Sequence, residues 1–356
     1  MTSQHDPIMI KPINEVAEYL KNLVPPNIPE MYSLKPMIKN ISDEENIRSG
    51  VIAFRDFIYL FCDCLISAGS AYAKPPKKPS GMKDYPFLHN ITNLLIDIGY
   101  YGILSANGHS LLIADLPLCI ATIDANGKKK PPKVSANAKA ECFKFLTLCG
   151  FIFTDTEVFY PRNPLMLTGL KALSVADMEL RTDRRYWNDN YLLRCNYRLI
   201  KAEEADIAEE LEDFLHPLSD KLREFAIKLH KRYVGMGMTC TLSILRDTSY
   251  SYGYISKNRK ISSSRDEYAL RVFEFCYSLR NGYCLFVRAK KTAKYADIIA
   301  AFPQDLREKI TAGYGCYKKL GGTRCQGECQ GICIPLDDKM LGIREEIERW
   351  LDKEAE

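Results

Sequence analysis

The sequence predicts an α+β protein. Its N-terminal half is expected to be mostly helical with two small β-hairpins, and its C-terminal half to be a four-stranded antiparallel sheet backed by helices. Three observations predict this class. Apolar residues recur at helical spacing through the first half, Asn-Gly pairs separate apolar runs, and the pattern changes to short strand-like runs from Met238 onward. The expected domains are 1–185, with two helix-plus-hairpin units, and 186–356, with a cysteine-rich loop and a closing helix.

The composition is that of an ordinary globular protein. The chain has 356 residues, of which 46% are hydrophobic and 26% charged, and the length suggests two or three domains. A formal charge of +4 is too small to indicate nucleic-acid binding by itself. Thirteen cysteines without a signal-peptide pattern at residues 1–9 predict a reduced, cytoplasmic compartment. The apolar stretch 51–69 contains three charged residues, so we expect a buried helix and no membrane span.

Helical periodicity organises the start of the chain. Apolar residues at 13, 16, 17, 20, 23 and 24 predict a helix that ends at Pro25. Ser42 followed by Glu45 has the spacing of a capping box, which predicts that a long helix begins there. Cys62 and Cys64 lie two apart on this helix and so point to different faces. We therefore expect them to pack in the core rather than share a metal.

Two segments repeat one pattern of an amphipathic helix, an apolar-Gly-aromatic step and a tight hairpin. The helices are predicted at 86–98 and 135–149, and the hairpin turns at Asn107–Gly108 and around 154–157. This similarity suggests an internal duplication. A helix followed by a two-stranded wing is also how winged-helix modules end, which would make the units winged-helix-like and able to contact DNA. The alternative is a common α+β arrangement that binds nothing.

Two basic, proline-containing loops at 74–81 and 126–133 accompany these units. If both loops lie on one face, their lysines form a patch that attracts nucleic-acid phosphates. The alternative is two separate surface loops. The lysines concerned are Lys74, Lys77, Lys78, Lys128, Lys129, Lys130 and Lys133.

The second half is predicted to contain a strand at 191–200, helices at 203–215 and 218–234, and four strands between 238 and 289. Tyr250, Tyr252 and Tyr254 alternate onto one sheet face. They would either line a ligand pocket or pack beneath the helices, and we favour packing because a sheet must bury one face. Asn281–Gly282 predicts a second tight hairpin, and residues 341–353 predict a closing amphipathic helix.

The stretch 316–333, CYKKLGGTRCQGECQGIC, concentrates four cysteines among four glycines. A glycine-rich loop can bring several sulfurs to one point, and four thiolates suit Zn or an Fe-S cluster. The C-x3-C-x3-C spacing departs from the usual zinc and ferredoxin patterns, so separate thiols in a loop are the alternative. The candidate metal ligands are Cys316, Cys325, Cys329 and Cys333.

The sequence contains no motif that assigns a reaction. It lacks a P-loop, an H-E-x-x-H motif and a G-x-S-x-G nucleophile elbow. We therefore expect a cytoplasmic, non-catalytic regulatory or binding protein with a ligand- or metal-responsive cysteine site. The alternative is an enzyme that acts on a small molecule through a cysteine nucleophile or redox group.

Overall fold

The computed structural model describes residues 10–75, 85–113, 122–123, 129–130, 136–182, 192–204, 206–243, 248–254, 271–279, 281–289, 296–311 and 332–356. The chain divides into two compact units, Met1–Ala205 and Asp206–Glu356. The first unit is mainly helical with a small antiparallel sheet, and the second contains a larger antiparallel sheet packed against helices. The predicted α+β class is therefore confirmed. No helix in the described ranges has the length and apolar character needed to cross a membrane.

The helices of the first unit follow the predicted periodicity. The long helix begins one residue later than predicted, because Asp43 rather than Ser42 occupies the N-cap position, and its side chain makes no capping hydrogen bond. Two glutamates in the first turn instead place negative charge at the positive end of the helix dipole. The helices are α1 Ile13–Lys21, α2 Pro36–Lys39, α3 Glu44–Tyr72, α4 Pro86–Tyr101, α5 Ala136–Leu148 and α6 Leu165–Thr182.

Helices α3 and α6 cross at a pair of glycines. A Cβ atom on Gly50 would lie 2.6 Å from the carbonyl oxygen of Leu165, and one on Gly169 would lie 2.7 Å from the backbone nitrogen of Val51. Only hydrogen fits at both positions.

Aromatic rings form the core on another side of α3, where Phe57 and Phe61 contact rings near the end of α5 and the small sheet.

The two predicted hairpins of the first unit are confirmed, and they join into one antiparallel sheet of order β1-β2-β6-β5. Because β2 and β6 pair with each other in the middle, the hairpins do not project as two separate wings. A short ladder of β3 and β4 is separate from this sheet. The strands are β1 Ile103–Leu104, β2 Ser110–Leu112, β3 Thr122–Ile123, β4 Lys129–Lys130, β5 Ile152–Phe153 and β6 Glu157–Phe159.

The registers of the two hairpins match. Leu104 pairs with Leu111 in one hairpin, Phe153 pairs with Val158 in the other, and Leu111 faces Val158 across the middle. This local two-fold relation fits a duplication, which stays a hypothesis.

The two glycines that occupy the same place in the repeated pattern have different structural roles. Gly150 follows α5 with φ +105, whereas Gly99 lies inside α4, where a Cβ atom would lie 2.7 Å from the carbonyl oxygen of Leu170 on α6.

Residues 192–199 form two 3-10 turns instead of the predicted strand. Leu193 and Tyr197 are buried, and Cys195 adopts φ 49, with its Sγ 3.6 Å from the carbonyl oxygen of Val51. The prediction is wrong because the apolar residues here do not alternate. They fill a gap beside helices of the first unit rather than one face of a ladder.

The second unit is built on a five-stranded antiparallel sheet of order β11-β10-β9-β8-β7. The four predicted strands are present, and the turn at Asn281–Gly282 is confirmed, with Gly282 at φ 64. The fifth strand comes from the end of the predicted cysteine loop, where buried Ile332 and Ile334 alternate with Cys333. The elements are α7 Ile207–Leu215, α8 Asp220–Gly235, β7 Thr239–Ser243, β8 Thr248–Gly253, β9 Arg271–Ser278, β10 Gly282–Val287, α9 Ala296–Ala300, α10 Gln304–Thr311, β11 Ile332–Pro335, α11 Asp338–Leu341 and α12 Arg344–Ala355.

One face of this sheet is the apolar core of the second unit. Tyr250 contacts Phe214 of α7, and Tyr252 packs against His230 of α8. Both tyrosines are buried, whereas Tyr254 lies beyond the end of β8 and is 45% exposed. Packing beneath the helices is therefore confirmed for Tyr250 and Tyr252.

Candidate functional site

The other face of the same sheet carries polar side chains. In an antiparallel sheet, directly opposed residues share a face and side chains alternate along each strand. The registers therefore place hydroxyl, thiol and charged groups together here, although most of them are less than a tenth exposed. Arg271 does not follow the alternation; the register shifts between Tyr252 and Gly253, opposite it, and its guanidinium pairs with Glu274 on this face. We call this set the polar face; its residues are Ser249, Ser251, Arg271, Glu274, Cys276, Cys284, Phe286, Arg288 and Cys333.

Three charged side chains form the centre of the polar face. The Glu274 carboxylate accepts a hydrogen bond from Arg288 through Oε1 and forms a 3.6 Å ion pair with the Arg271 guanidinium through Oε2. The Arg288 guanidinium also lies 4.8 Å from the centre of the Phe286 ring. Their side chains are only 5%, 7% and 8% exposed for Arg271, Glu274 and Arg288. Two guanidiniums are thus held on one buried carboxylate.

Ser251 lies beside this charged group. It is opposite Glu274 in the register of β8 and β9 and has no exposed surface. Its Oγ has no hydrogen-bond partner among the described residues. A buried hydroxyl without a hydrogen-bond partner reduces folding stability by about 1–3 kcal/mol. The position of Ser251 therefore indicates where a polar ligand atom or a water would bind.

Three thiols continue the polar face across neighbouring strands, and we call Cys276, Cys284 and Cys333 the thiol row. Cys276 is directly opposite Cys284, and Cys333 is opposite Phe286, one pair further along. Hydrogen bonds with Cys276 and Cys333, together with burial, raise the pKa of Cys284. Cys284 is 1% exposed, whereas Cys276 and Cys333 are half-buried. At neutral pH Cys284 is therefore a buried thiol.

Only one pair in the thiol row has the span of a disulfide. The backbone N–H of Arg288 donates to the carbonyl oxygen of Val272, so these two opposed residues are a hydrogen-bonded pair. Along an antiparallel ladder, every second pair of opposed residues is hydrogen-bonded in this way. Cys276 and Cys284 are such a pair, for which the Cα separation is about 5.5 Å, within the disulfide range of about 4.4–6.8 Å. Cys284 and Cys333 are diagonal neighbours, at about 7–8 Å, which is too far without backbone movement.

The predicted metal site is only partly covered by the structure. Cys333 lies on β11 within the thiol row, whereas Cys316, Cys325 and Cys329 lie outside the described residues. Within the described ranges, no three His, Cys, Asp or Glu side chains are arranged to hold a metal ion. The thiol row extends over three successive strands rather than around one point. A Zn or Fe-S site formed by the four predicted cysteines stays a prediction.

The lysines of the predicted nucleic-acid surface also lie mostly outside the described residues. Lys77, Lys78, Lys128 and Lys133 are not among them. Lys74 follows α3, and the backbone of Lys129–Lys130 forms β4, paired with Thr122–Ile123. The second predicted loop thus contains a short strand. That the lysines lie on one face stays a prediction.

A second cysteine environment lies on the apolar face of the sheet. The Nδ1 atom of His230 is 2.9 Å from the hydroxyl of Tyr252, which also hydrogen-bonds Cys240, its partner across β7 and β8. Burial lowers the pKa of His230, and burial raises the pKa of Cys240 to about 12. All three groups are therefore uncharged at neutral pH. This arrangement does not provide the thiolate that a cysteine nucleophile requires.

In the first unit, Cys62 is fully buried, as predicted, and Cys64 hydrogen-bonds Cys149 at the end of α5. Burial is the main cause that raises the pKa of Cys149. The predicted core role of Cys62 is confirmed. Charged groups act on these thiols as well: Arg162 lowers the pKa of Cys149, although burial outweighs it.

The sequence analysis missed the thiol row. The predicted hairpin placed the strands that carry Cys276 and Cys284 side by side, but a two-residue turn at Asn281–Gly282 would have paired Cys276 with Val287. The observed register pairs Ser278 with Gly282, and this brings the two cysteines opposite each other. Cys333 carried no comparable signal, since its strand pairs with a distant part of the chain.

We compared the chain with protein families, with characterised proteins and with solved structures. None of the three comparisons finds a match. On the polar face, a thiol pair with the span of a disulfide lies beside two buried guanidiniums.

Proposed function

We propose that the protein is a cytoplasmic, non-catalytic regulatory or binding protein whose second unit responds to oxidants through a reversible disulfide between Cys276 and Cys284. The observation that supports this most is their direct opposition on neighbouring strands. Half-buried Cys276 is accessible, and buried Cys284 is the second thiol. A reduced compartment keeps such a pair as thiols until an oxidant appears.

The reaction with a hydroperoxide has two steps. The sulfur of Cys276 attacks the peroxide oxygen, which gives a sulfenic acid and releases an alcohol, or water in the case of hydrogen peroxide. The sulfur of Cys284 then attacks the Cys276 sulfur, and hydroxide leaves with the thiol proton as water. Two thiols are oxidised to one disulfide, and the peroxide takes up the two electrons. The raised pKa of Cys284 predicts a second step that becomes faster as pH rises, because the thiolate is the attacking form.

The test is to oxidise the reduced protein with hydrogen peroxide and locate the bridge by peptide mass spectrometry. We expect a Cys276–Cys284 link in the wild type and in Cys333→Ser. Cys284→Ser should give no link and instead leave a sulfenic acid on Cys276, detectable with dimedone. Far-UV circular dichroism confirms that each variant is folded. If the folded wild type forms no link, or links other cysteines first, the proposal fails.

A metal-responsive site is the alternative form of this proposal. It would use Cys316, Cys325, Cys329 and Cys333 to hold Zn or an Fe-S cluster, and the position of Cys333 on β11 supports it by anchoring one ligand on the sheet. The same preparations distinguish the two. Stoichiometric metal that is lost in Cys325→Ser and retained in Cys276→Ser would favour the metal site, and metal-free protein would eliminate it.

Nucleic-acid binding is a separate proposal, supported by the two lysine-rich segments and the helix-plus-hairpin units of the first unit. If these lysines neutralise phosphates, the affinity for duplex DNA must fall steeply with salt. A titration at low salt followed by one at physiological salt measures this. Absence of binding at low salt, where the electrostatic attraction is greatest, would rule the proposal out.

A further inference from the structure

We infer that the protein forms a two-fold dimer in which β7 of one copy pairs antiparallel with β7 of a second copy. The sheets of the two second units then join into one continuous sheet. This dimer does not depend on the proposed response of the thiols. Three features of β7 support it: an open outer edge, exposed apolar side chains beside it, and a sequence that is complementary to itself.

β7 is an edge strand whose outer side is open. In antiparallel sheets, hydrogen-bonded pairs alternate along each ladder, and successive residues direct their N–H and C=O groups to opposite sides of the strand. The bond from Arg288 to Val272 therefore fixes the pattern across the sheet, and in β7 this pattern turns the backbone of Thr241 toward β8. The N–H and C=O groups of Cys240 and Leu242 point away from the sheet. They have no hydrogen-bond partner among the described residues.

The two edges of this sheet differ in how they resist pairing with another chain. Edge strands usually carry a charged residue, a proline or a bulge that prevents such pairing. At the opposite edge, Leu336 donates its N–H inward to Tyr283, so the preceding Pro335 of β11 faces outward, and proline has no N–H to offer. The strand β7, with the sequence TCTLS, contains no charge and no proline, and its register with β8 is regular. Of these two edges, β7 is therefore the one suited to accept another strand.

Exposed apolar side chains lie beside the start of β7. Val234 and Met236 lie at the end of α8, just before the strand, and Tyr254 follows Gly253, which is opposite Thr239. Among the described residues of the second unit, these three are the large apolar side chains that are most exposed, at 42–48%. Exposed apolar groups that cluster in this way indicate an interaction site. A second copy that pairs with β7 would lie next to them.

The sequence of β7 is complementary to itself in an antiparallel pair. With Thr241 on the two-fold axis, Cys240 lies opposite Leu242 of the second copy. Both residues have outward N–H and C=O groups, so each such pair exchanges two hydrogen bonds and leaves none of these groups unsatisfied. Cys240 and Leu242 are opposite Tyr252 and Tyr250 and therefore share the apolar face, whereas Thr241 would meet Thr241 of the second copy, a favourable cross-strand pair. A shift of one residue would place outward groups opposite inward ones and lose these bonds.

The size of the contact predicts a dimer that dissociates on dilution. A five-residue strand pair buries less surface than the roughly 800 Å² per partner of a standard specific interface. We therefore expect a dissociation constant in the range of about 1–100 µM. Sedimentation of the reduced full-length chain across this concentration range should show a monomer that converts to a dimer and to nothing larger, because two-fold pairing uses the edge of each copy once.

A charge on the two-fold axis tests the register. In Thr241→Lys, two ammonium groups would lie directly opposite each other, so the dissociation constant should rise by about tenfold or more. The matched control is Thr147→Lys, which adds the same charge at an exposed position on α5 of the first unit and should leave dimerisation unchanged. Far-UV circular dichroism confirms that both variants are folded.

A cross-link locates the axis even if Thr241→Lys does not fold. Residues opposed in a pair without hydrogen bonds have Cα atoms about 4.5 Å apart, which is within the disulfide range of about 4.4–6.8 Å. Mild oxidation of Thr241→Cys should therefore give a dimer linked at position 241, located by peptide mass spectrometry. In Thr239→Cys the two substituted positions would be about 13 Å apart and should not link to each other. A wild type that stays monomeric at the highest concentration, or a folded Thr241→Cys without this link, would overturn the dimer and leave the edge of β7 for a strand of another protein.

Discussion

Alanine at Gly169 is expected to destabilise the first unit by about 3 kcal/mol or more, because a methyl group at this position cannot be accommodated. Its Cβ atom would lie 2.7 Å from the backbone nitrogen of Val51, and the backbone of Gly50 is closer still. Backbone atoms cannot rotate away as a side chain can, so α3 and α6 must separate. That movement would open the most extensive helix contact of the unit and exceed the gain of about 1 kcal/mol that alanine offers in a helix.

Hydrogen exchange read by mass spectrometry is the suitable measurement, because it reports on α3 and α6 separately from the second unit. We expect peptides from both helices to lose protection in Gly169→Ala. The matched control is Gly235→Ala, at the last residue of α8, where an added Cβ atom has no neighbour within 4 Å. It should be neutral or stabilise by up to about 1 kcal/mol. Unchanged protection of α3 and α6 in Gly169→Ala would show that the glycine crossing is not as described.

Glutamine at Glu274 is expected to cost the second unit about 3–5 kcal/mol, the usual loss when one partner of a buried ion pair is neutralised. The substitution keeps the shape of the side chain but leaves the Arg271 and Arg288 guanidiniums buried without the carboxylate that they share. Urea unfolding followed by the fluorescence of Trp350 measures the change, since this side chain is fully buried in the second unit. A Trp187→Phe background removes the only other tryptophan.

Glu44 provides a matched control for this prediction. Its carboxylate also binds two cations, Lys39 at 2.8 Å and Arg48 at 3.2 Å, but it lies at the surface. Glu44→Gln should therefore have little effect on stability, because water and salt screen exposed pairs. A loss for Glu274→Gln as small as that for Glu44→Gln would contradict the buried position of the carboxylate.

An apolar replacement of the whole charged group tests whether packing alone can supply the stability that the ion pairs provide. Arg271→Met, Glu274→Leu, Arg288→Met removes all three charges of this group, so most of the stability lost in Glu274→Gln should return. If it recovers neither stability nor a cooperative transition, the charged group has a structural role that apolar packing does not replace.

Local sequence was sufficient where the structure depends on neighbouring residues. The turns at Asn107–Gly108 and Asn281–Gly282 follow from backbone conformations that these residues favour, and both hairpins form as predicted. Helical periodicity likewise located α3 to within a residue or two at its start. The 3-10 turns at 192–199 show the limit, because a short apolar run without alternation takes its conformation from whatever it packs against.

The sequence by itself determined the α+β class, the order of helices before the main sheet, and the burial of Tyr250 and Tyr252. These depend on periodicity within single elements and on the need of a sheet to bury one face. Only the tertiary structure decided that β11 joins the sheet, that Cys333 lies beside Cys284, and that Arg271 and Arg288 meet at Glu274. The physical reason is that strand pairing and the burial of charge are set by residues far apart in the chain, whose contact no local pattern records.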